Sequence, residues 1–487
     1  MFCARQSFLV LGLSRSGRAA AEFLLSRGAT TYIYDDVESE RVEKTANELM
    51  EKGAKRVKKE ELASTPERCD ALVLSPGIPI DHALAVAFKR NKKAVLGETE
   101  LAARSMRCPI IAITGTNGKT TTVSLLTETL LAGGYNAKAC GNVGTPMIDF
   151  CGLDENGVAV AEISSFQLET LNSLCPHIAI VLNVSEDHLN RHYNMENYVF
   201  LKAKLLKNLS EAEYAVLNYD DRAVRAFAER TKARVLYFSV RERVEGAYYE
   251  NGELYFQGEK IMAANQLSVG GIHNIQNALA VIVAAKTLGV KTETIAAALA
   301  SFKGVKHRIE PVGEKDGVLY INDSKGTNVD ATVQAIGCMK RETVLLLGGK
   351  NKGYDYTRLF SVLGRSAVVH AVLYGENRYE LLKCARAQGY EKVTVCTGFE
   401  RAVKIAKLIA EKGQAVLLSP ASASFDEFAS YEERGEAFVK LTGVFEEETK
   451  DEISAETELD DASTERDADG HGEQTVVIAE HEDGELE

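Results

Sequence analysis

Short apolar runs that end on glycine or serine, separated by amphipathic stretches, set the rhythm of this chain. Residues 8–12 read as a buried strand, a Gly/Ser turn follows, apolar positions from Ala19 to Leu25 recur at helical spacing, and residues 31–34 read as a second strand ending at Asp35-Asp36. Residues 71–74, followed by Ser75-Pro-Gly77, repeat this strand-then-turn grammar. Residues 1–97 therefore predict a small doubly wound α/β domain with its ligand edge at the C-terminal ends of the strands.

A second unit, residues 98–303, opens with a strand at 109–113, a Gly-containing turn, and a helix in which Val123, Leu126 and Leu130 return at helical spacing before Gly133-Gly134 stops it. Further strands are predicted at 158–163 and 178–184. The alternating segments around Asn251-Gly252 are the strongest hairpin signal, because that dipeptide suits the left-handed backbone of a two-residue turn. From 304 to 445, apolar runs at 316–321, 343–347, 367–374, 393–396 and 415–418 alternate with helical stretches, the pattern of another parallel sheet. The expected fold class is α/β in three domains, the first and third Rossmann-like. A length of 487 residues agrees with that division at about 150 residues per domain.

Hydrophobic residues at 45% and charged residues at 26% match a globular protein and argue against a wholly disordered or membrane-embedded one. The net charge of −13 is unevenly spread: residues 446–487 hold 18 Asp and Glu against Lys450 and Arg466, so this tail carries −16 and the rest of the chain +3. A body so near neutrality lacks the overall basic excess that nucleic-acid phosphates attract, and the tail reads as a disordered acidic extension. Nine cysteines without a Cys-x-x-Cys pair argue against a disulfide framework or a zinc-thiolate site. No stretch approaches the ~20 apolar residues of a membrane helix, and the run at 8–13 is too short for a signal-peptide core. The chain is expected in a reducing cytoplasm, without nucleic-acid partners or membrane insertion.

Three segments carry chemistry. Gly115-Thr-Asn-Gly-Lys-Thr120 lies between a strand and a helix, where backbone amides can converge on phosphate oxygens, with Lys119 supplying charge and the Thr120 hydroxyl a magnesium ligand. It makes the central unit a P-loop-type ATPase domain, although Ile113 stands where the standard phosphate loop has its first glycine. Glu162 ends a buried strand, where a carboxylate needs a partner; a cation held jointly with Thr120 is the simplest one. Asp187-His188 ends another strand. His188 and His192 have the spacing of a zinc protease helix, but Leu189 occupies the place of the catalytic glutamate, which argues against that reading.

These segments, in this order, together with Glu162-Ile-Ser-Ser-Phe-Gln-Leu-Glu169, Asn183-Val-Ser-Glu-Asp-His188, His273-Asn-Ile-Gln-Asn277, His307-Arg308, Asn322-Asp-Ser-Lys-Gly-Thr-Asn328 and the run from Leu418 to Phe428, resemble the Mur ligases, ATP-dependent amino-acid ligases of peptidoglycan synthesis. The resemblance spans residues 8–445 and is strongest to the branch that joins D-glutamate to UDP-N-acetylmuramoyl-L-alanine. It implies that Lys119 and the amides of Gly115, Thr116, Asn117 and Gly118 hold the ATP phosphates, that Thr120 and Glu162 hold one magnesium ion, and that His188 and a carbamylated Lys202 hold a second. Lys204 lies two residues on; Lys202 is chosen because it falls four residues after Tyr198. Lys119, His188 and Lys202 are then the catalytic set. Asn274, Asn277, Arg308 and Asp323 match nucleotide contacts; Thr327, Lys352 and Ser424 match D-glutamate contacts, with Lys350 an alternative cation. Tyr431 stands where phenylalanine is expected. Ser16, Asp35, Ser75 and Gly77 match contacts to the uridine diphosphate, Asn142 and Ser164 contacts to the rest of that substrate, and Asp36 departs from the pattern. A monomer is expected.

Two other classes compete. An NAD-dependent oxidoreductase is suggested by the first βαβ unit, but Gly12-Leu-Ser-Arg-Ser-Gly17 lacks the closely spaced glycines of a dinucleotide turn. A non-catalytic nucleotide-binding scaffold needs only the loop; the joint presence of Lys119, Glu162, His188 and Lys202 favours turnover.

Overall fold

The computed structural model describes residues 3–142, 144–152, 155–351 and 353–445; the expected acidic tail, 446–487, and Lys352 lie outside the described residues. The chain forms two compact units, Met1–Val305 and Lys306–Glu487. α/β alternation governs both.

The first unit contains two sheets. Strands β1 (Ser7–Leu11), β2 (Thr30–Tyr34), β3 (Lys55–Arg56), β4 (Ala71–Leu74) and β5 (Ala94–Gly97) pair in parallel in the order β3-β2-β1-β4-β5. The order reverses between β1 and β4, so a crevice opens beyond their C-terminal ends. Residues 31–34 and 71–74 coincide with β2 and β4, and residues 8–12 with β1 shifted by one.

The second sheet has nine strands in the order β14-β13-β12-β11-β10-β9-β6-β8-β7. They are β6 (Ile110–Thr114), β7 (Asn136–Gly141), β8 (Gly157–Glu162), β9 (Ile178–Val181), β10 (Tyr214–Asn218), β11 (Arg234–Ser239), β12 (Gly246–Glu250), β13 (Glu253–Phe256) and β14 (Glu259–Ala263). From β7 to β12 the pairing is parallel; β13 and β14 add an antiparallel edge. β6 is wholly buried, and its side chains alternate between two cores. Ile111 and Ile113 pack with Val123, Leu126 and Leu130 of the Lys119–Ala132 helix and with residues 278–285 of the Ile272–Thr287 helix. Ala112 joins the core that contains Phe8 and Val10 of β1. A strand covered on both faces reads as an unbroken apolar run, which is why β6 was legible. At the hairpin, Glu250 pairs with Glu253, and Asn251 (φ 49°) and Gly252 (φ 84°) form the two-residue loop.

The second unit holds β15 (Glu310–Lys315), β16 (Val318–Asn322), β17 (Thr343–Gly348), β18 (Val368–Tyr374), β19 (Val393–Val395) and β20 (Ala415–Leu418), in the order β15-β16-β20-β17-β18-β19. Only β15 is antiparallel. Apolar side chains on the two faces of this sheet form separate cores against the flanking helices. No helix among the described residues is long and apolar enough to cross a membrane.

Candidate active site

The C-terminal ends of β6, β8 and β9 bring the central residues together. Ile113 pairs with Glu162, and Gly141 of β7 also pairs with Glu162, so the carboxylate sits beside the loop that leaves β6. Glu162 is 2% exposed. Its two oxygens accept from the Thr120 hydroxyl at 2.8 Å and from the Asn142 amide at 3.0 Å. The partner demanded by burial is therefore already a pair of neutral donors, arranged around two oxygen atoms that a hard cation can also use. Asn142 is held in turn by its own N–H, which donates to the Glu162 carbonyl.

The phosphate-loop candidate is braced on both sides. The Asn183 side chain accepts from Asn117 N–H at 2.8 Å and donates to the Asn117 carbonyl at 3.1 Å. The Thr116 hydroxyl donates to the Ser185 carbonyl and accepts from Ser185 N–H. Gly118 has φ +85°, and a Cβ there would stand 2.4 Å from Asn277 Oδ1, so the loop and the Ile272–Thr287 helix meet through a missing side chain. Asn277 in turn donates to Asn274. Lys119 opens the following helix and donates to the carbonyls of Gly115 and Thr116, both at 2.8 Å, which places its ammonium within the loop.

His188 follows Asp187 beyond β9; its Nε2 lies 3.5 Å from Asp187 Oδ2 and its ring 4.8 Å from that of Phe166. Its backbone is left-handed, φ 56°. Lys202, on the Met195–Ala203 helix, is 1% exposed with its ammonium over the Tyr198 ring. Burial, reinforced by the Lys119 charge and opposed by Asp187, holds its pKa well below the usual lysine range, so it tends toward the neutral amine. Lys204 instead donates to the carbonyls of Leu168 and Glu169. His192 is buried, bonds Ser165 and stacks on Tyr198; burial and His188 bring its pKa down to about 4.

Ser164 caps a short helix: its N–H and hydroxyl both meet Gln167 Oε1, and Gln167 donates to Thr99 beyond β5. At the edge of the first sheet, Asp35 accepts the amides of Leu13 (2.6 Å) and Val37 (2.9 Å), and Ser75 donates to the Gly12 carbonyl at 3.0 Å. Both side chains thus order the turn after β1, and Ser16 lies in the first turn of the Arg15–Ser26 helix beside it. Asp36 lies 3.2 Å from His82. Gly77 is exposed, and its carbonyl accepts from Arg191, which also pairs with Glu169 at 2.6 Å and binds this loop to the central residues.

In the second unit, Asp323 is fully enclosed, accepting from Ser419 at 2.7 Å and from Ile309 N–H at 3.2 Å. Burial, opposed by Arg308, pushes its pKa up to about 6. Arg308 Nε is buried without a hydrogen-bond partner, a donor facing an unfilled demand. Ser424 is buried; Thr327, on the loop after β16, and Tyr431, at the start of the Tyr431–Thr442 helix, are half-buried. Lys350 pairs with Glu376 at 2.6 Å.

Sequence reasoning assigned no role to Asn183, Phe166 or Arg191. Asn183 and Phe166 stand inside the motifs it quoted, and an asparagine two residues past a buried strand was the available signal for a loop brace.

Residues 113–285 match the Mur ligase middle domain and residues 307–422 the Mur ligase glutamate ligase domain. The UDP-N-acetylmuramoylalanine–D-glutamate ligase of Pelotomaculum thermopropionicum is 40% identical over 452 residues, 90% of this chain and 97% of the relative. That of Clostridioides difficile is 38% identical over 439 residues, 88% of this chain and 96% of the relative. The fold is shared with the UDP-N-acetylmuramate-alanine ligase of Thermotoga maritima, at TM-score 0.59 and 18% identity over 89% of this chain and 98% of that one. It is shared too with the MurF ligase of Thermotoga maritima, solved with ADP, at TM-score 0.56 and 18% identity over 90% of this chain and 95% of that one.

Proposed function

The chain belongs to the Mur ligase family, and we propose that it forms the amide bond between UDP-N-acetylmuramoyl-L-alanine and D-glutamate, with ATP cleaved to ADP and phosphate. The observation that carries the reading is the Thr120–Glu162–Asn142 cluster beside the Gly115–Lys119 loop. A carboxylate and an amine at neutral pH form a salt, so the acid must first be activated. The L-alanyl carboxylate attacks the γ-phosphorus of ATP and ADP leaves. The neutral amine of D-glutamate then attacks the acyl phosphate carbon, loses a proton, and phosphate departs.

The chain's own groups suit these steps. Loop amides and Lys119 orient the triphosphate and balance its charge. Magnesium takes hard oxygen ligands and keeps waters and phosphates in its shell, and Thr120 with Glu162 fits that habit. When bound, magnesium offsets the repulsion between triphosphate and carboxylate. His188 and Lys202 are read as holding a second ion; the buried, neutral-leaning amine of Lys202 is the form that adds carbon dioxide to become a carbamate.

Asn274, Asn277, Arg308 and Asp323 are read as nucleotide residues, Thr327, Lys352, Ser424 and Tyr431 as the amino-acid subsite, and Ser16, Asp35, Ser75, Gly77, Asn142 and Ser164 as the site of the UDP-sugar. Residues 1–97, 98–303 and 304–445 are read as its three domains, two Rossmann-like ones flanking a P-loop-type ATPase. The chain is read as a monomer in a reducing cytoplasm.

Phosphate release is the test. It is expected only when ATP, magnesium, UDP-N-acetylmuramoyl-L-alanine and D-glutamate are all present; equal turnover with L-alanine, or none with any amino acid, rejects the assignment. Carbon-labelled bicarbonate should add a carbamate resonance that Lys202→Ala lacks, and its absence from the parent protein removes the carbamate.

A further inference from the structure

Arg434, on the Tyr431–Thr442 helix, is the bulkiest fully buried side chain among the described residues. An enclosed guanidinium is costly unless paired and hydrogen-bonded. Its acceptors here are all neutral: the Ser324 hydroxyl (3.0 Å) and carbonyl (2.8 Å), the Ser422 carbonyl (3.1 Å) and the Ala423 carbonyl (3.2 Å). A Cβ on Gly349 would also lie 3.1 Å from its Nη1. One cation thus ties together the loops that follow β16 and β20, with Gly349 of the loop after β17 packed close beside it. The two tied loops carry Thr327 and Ser424. The nearby carboxyl of Asp323 has its oxygens engaged by Ser419 and Ile309.

The peptide groups transmit this charge. Among the described residues no peptide bond is cis, and in a trans peptide the N–H points opposite to the C=O. Carbonyls of Ser422 and Ala423 turned toward the guanidinium therefore turn the amides of Ala423 and Ser424 away from it. An acid docking on the far side meets the positive ends of oriented dipoles backed by a full positive charge.

We propose that Arg434 is a positioning residue that shapes the amino-acid subsite and charges it, so that the site selects an amino acid bearing a second carboxylate. The proposal rests on the ligase reading above. Its test compares D-glutamate with D-glutamine, which have nearly the same shape but end in an anionic carboxylate and a neutral amide respectively. Arg434→Met should raise KM for D-glutamate about tenfold and erode the preference over D-glutamine, with KM for ATP and for the UDP-sugar within about twofold of the parent. Arg434→Lys should recover part of that preference, because it keeps the charge while losing the fork. If Arg434→Met does not fold, Ser324→Ala, which removes one acceptor and leaves the guanidinium, should raise KM for D-glutamate alone by a smaller factor. A uniform rise in all three KM values, an unchanged preference, or no recovery in Arg434→Lys overturns the proposal. Failure of the parent protein to use D-glutamate instead overturns the ligase reading.

Discussion

Glu98 shows how a single carboxyl can make stability depend on pH. It is 1% exposed, accepts from Ile148 N–H at 2.6 Å and from the Thr99 hydroxyl at 3.1 Å, and burial pushes its pKa from 4.5 up to about 7. The folded state therefore holds this proton more tightly than the unfolded chain. Its contribution is neutral below pH 4.5, becomes unfavourable as pH rises, and reaches its full cost above about pH 7. Glu98→Gln keeps an oxygen for Ile148 and carries no charge, so it should be the more stable protein at pH 8 by about 3 kcal/mol at most, with the difference vanishing near pH 4. Denaturant unfolding at both pH values checks this; a difference independent of pH would refute it. At this scale the sequence exposes residues whose chemistry is visible beside a strand end, as with Thr120 and Glu162. It hides those that act on distant backbone: Arg434 bonds carbonyls at Ser324, Ser422 and Ala423, and nothing in local spacing marks it as more than a helix arginine.

The same divide runs through the elements. Central strands such as β6, β9 and β17 are buried on both faces and read as apolar runs; β7, β14 and β15 are edge strands with exposed polar residues among their positions and were harder to read. The turn between β6 and its helix was legible as a phosphate loop, but its dependence on a second helix was not. Gly118 and Gly134 provide a matched test of that dependence. Their φ values are +85° and +84°, but a Cβ at Gly118 would collide with Asn277 Oδ1 whereas one at Gly134 meets nothing within 4 Å. Both alanine variants should lose about 1 kcal/mol of stability to the left-handed backbone. Only Gly118→Ala should also raise KM for ATP, by about tenfold, because it displaces the Asn277 side chain that abuts the loop. Equal KM values for the two variants would separate the loop from that helix.

Across the whole molecule, charge is segregated where apolar patterning is not. Residues 446–487 carry −16 of a net −13, so their removal leaves a protein of +3. The matched Mur ligase segments end at 422, and the Tyr431–Thr442 helix closes with Gly443 in the left-handed conformation, so the proposed site is assembled before the acidic segment begins. Truncation after Phe445 should accordingly leave kcat and all three KM values within about twofold of the full chain. Solubility should fall, since a net charge close to zero removes the mutual repulsion that keeps copies apart. Steady-state phosphate release and the concentration at which each form precipitates at pH 7 read the two expectations separately. A truncated enzyme that stays as soluble as its parent would mean that the surface charge of residues 1–445 is already sufficient to hold copies apart, and a large loss of turnover would place the acidic segment within the working machinery of the ligase.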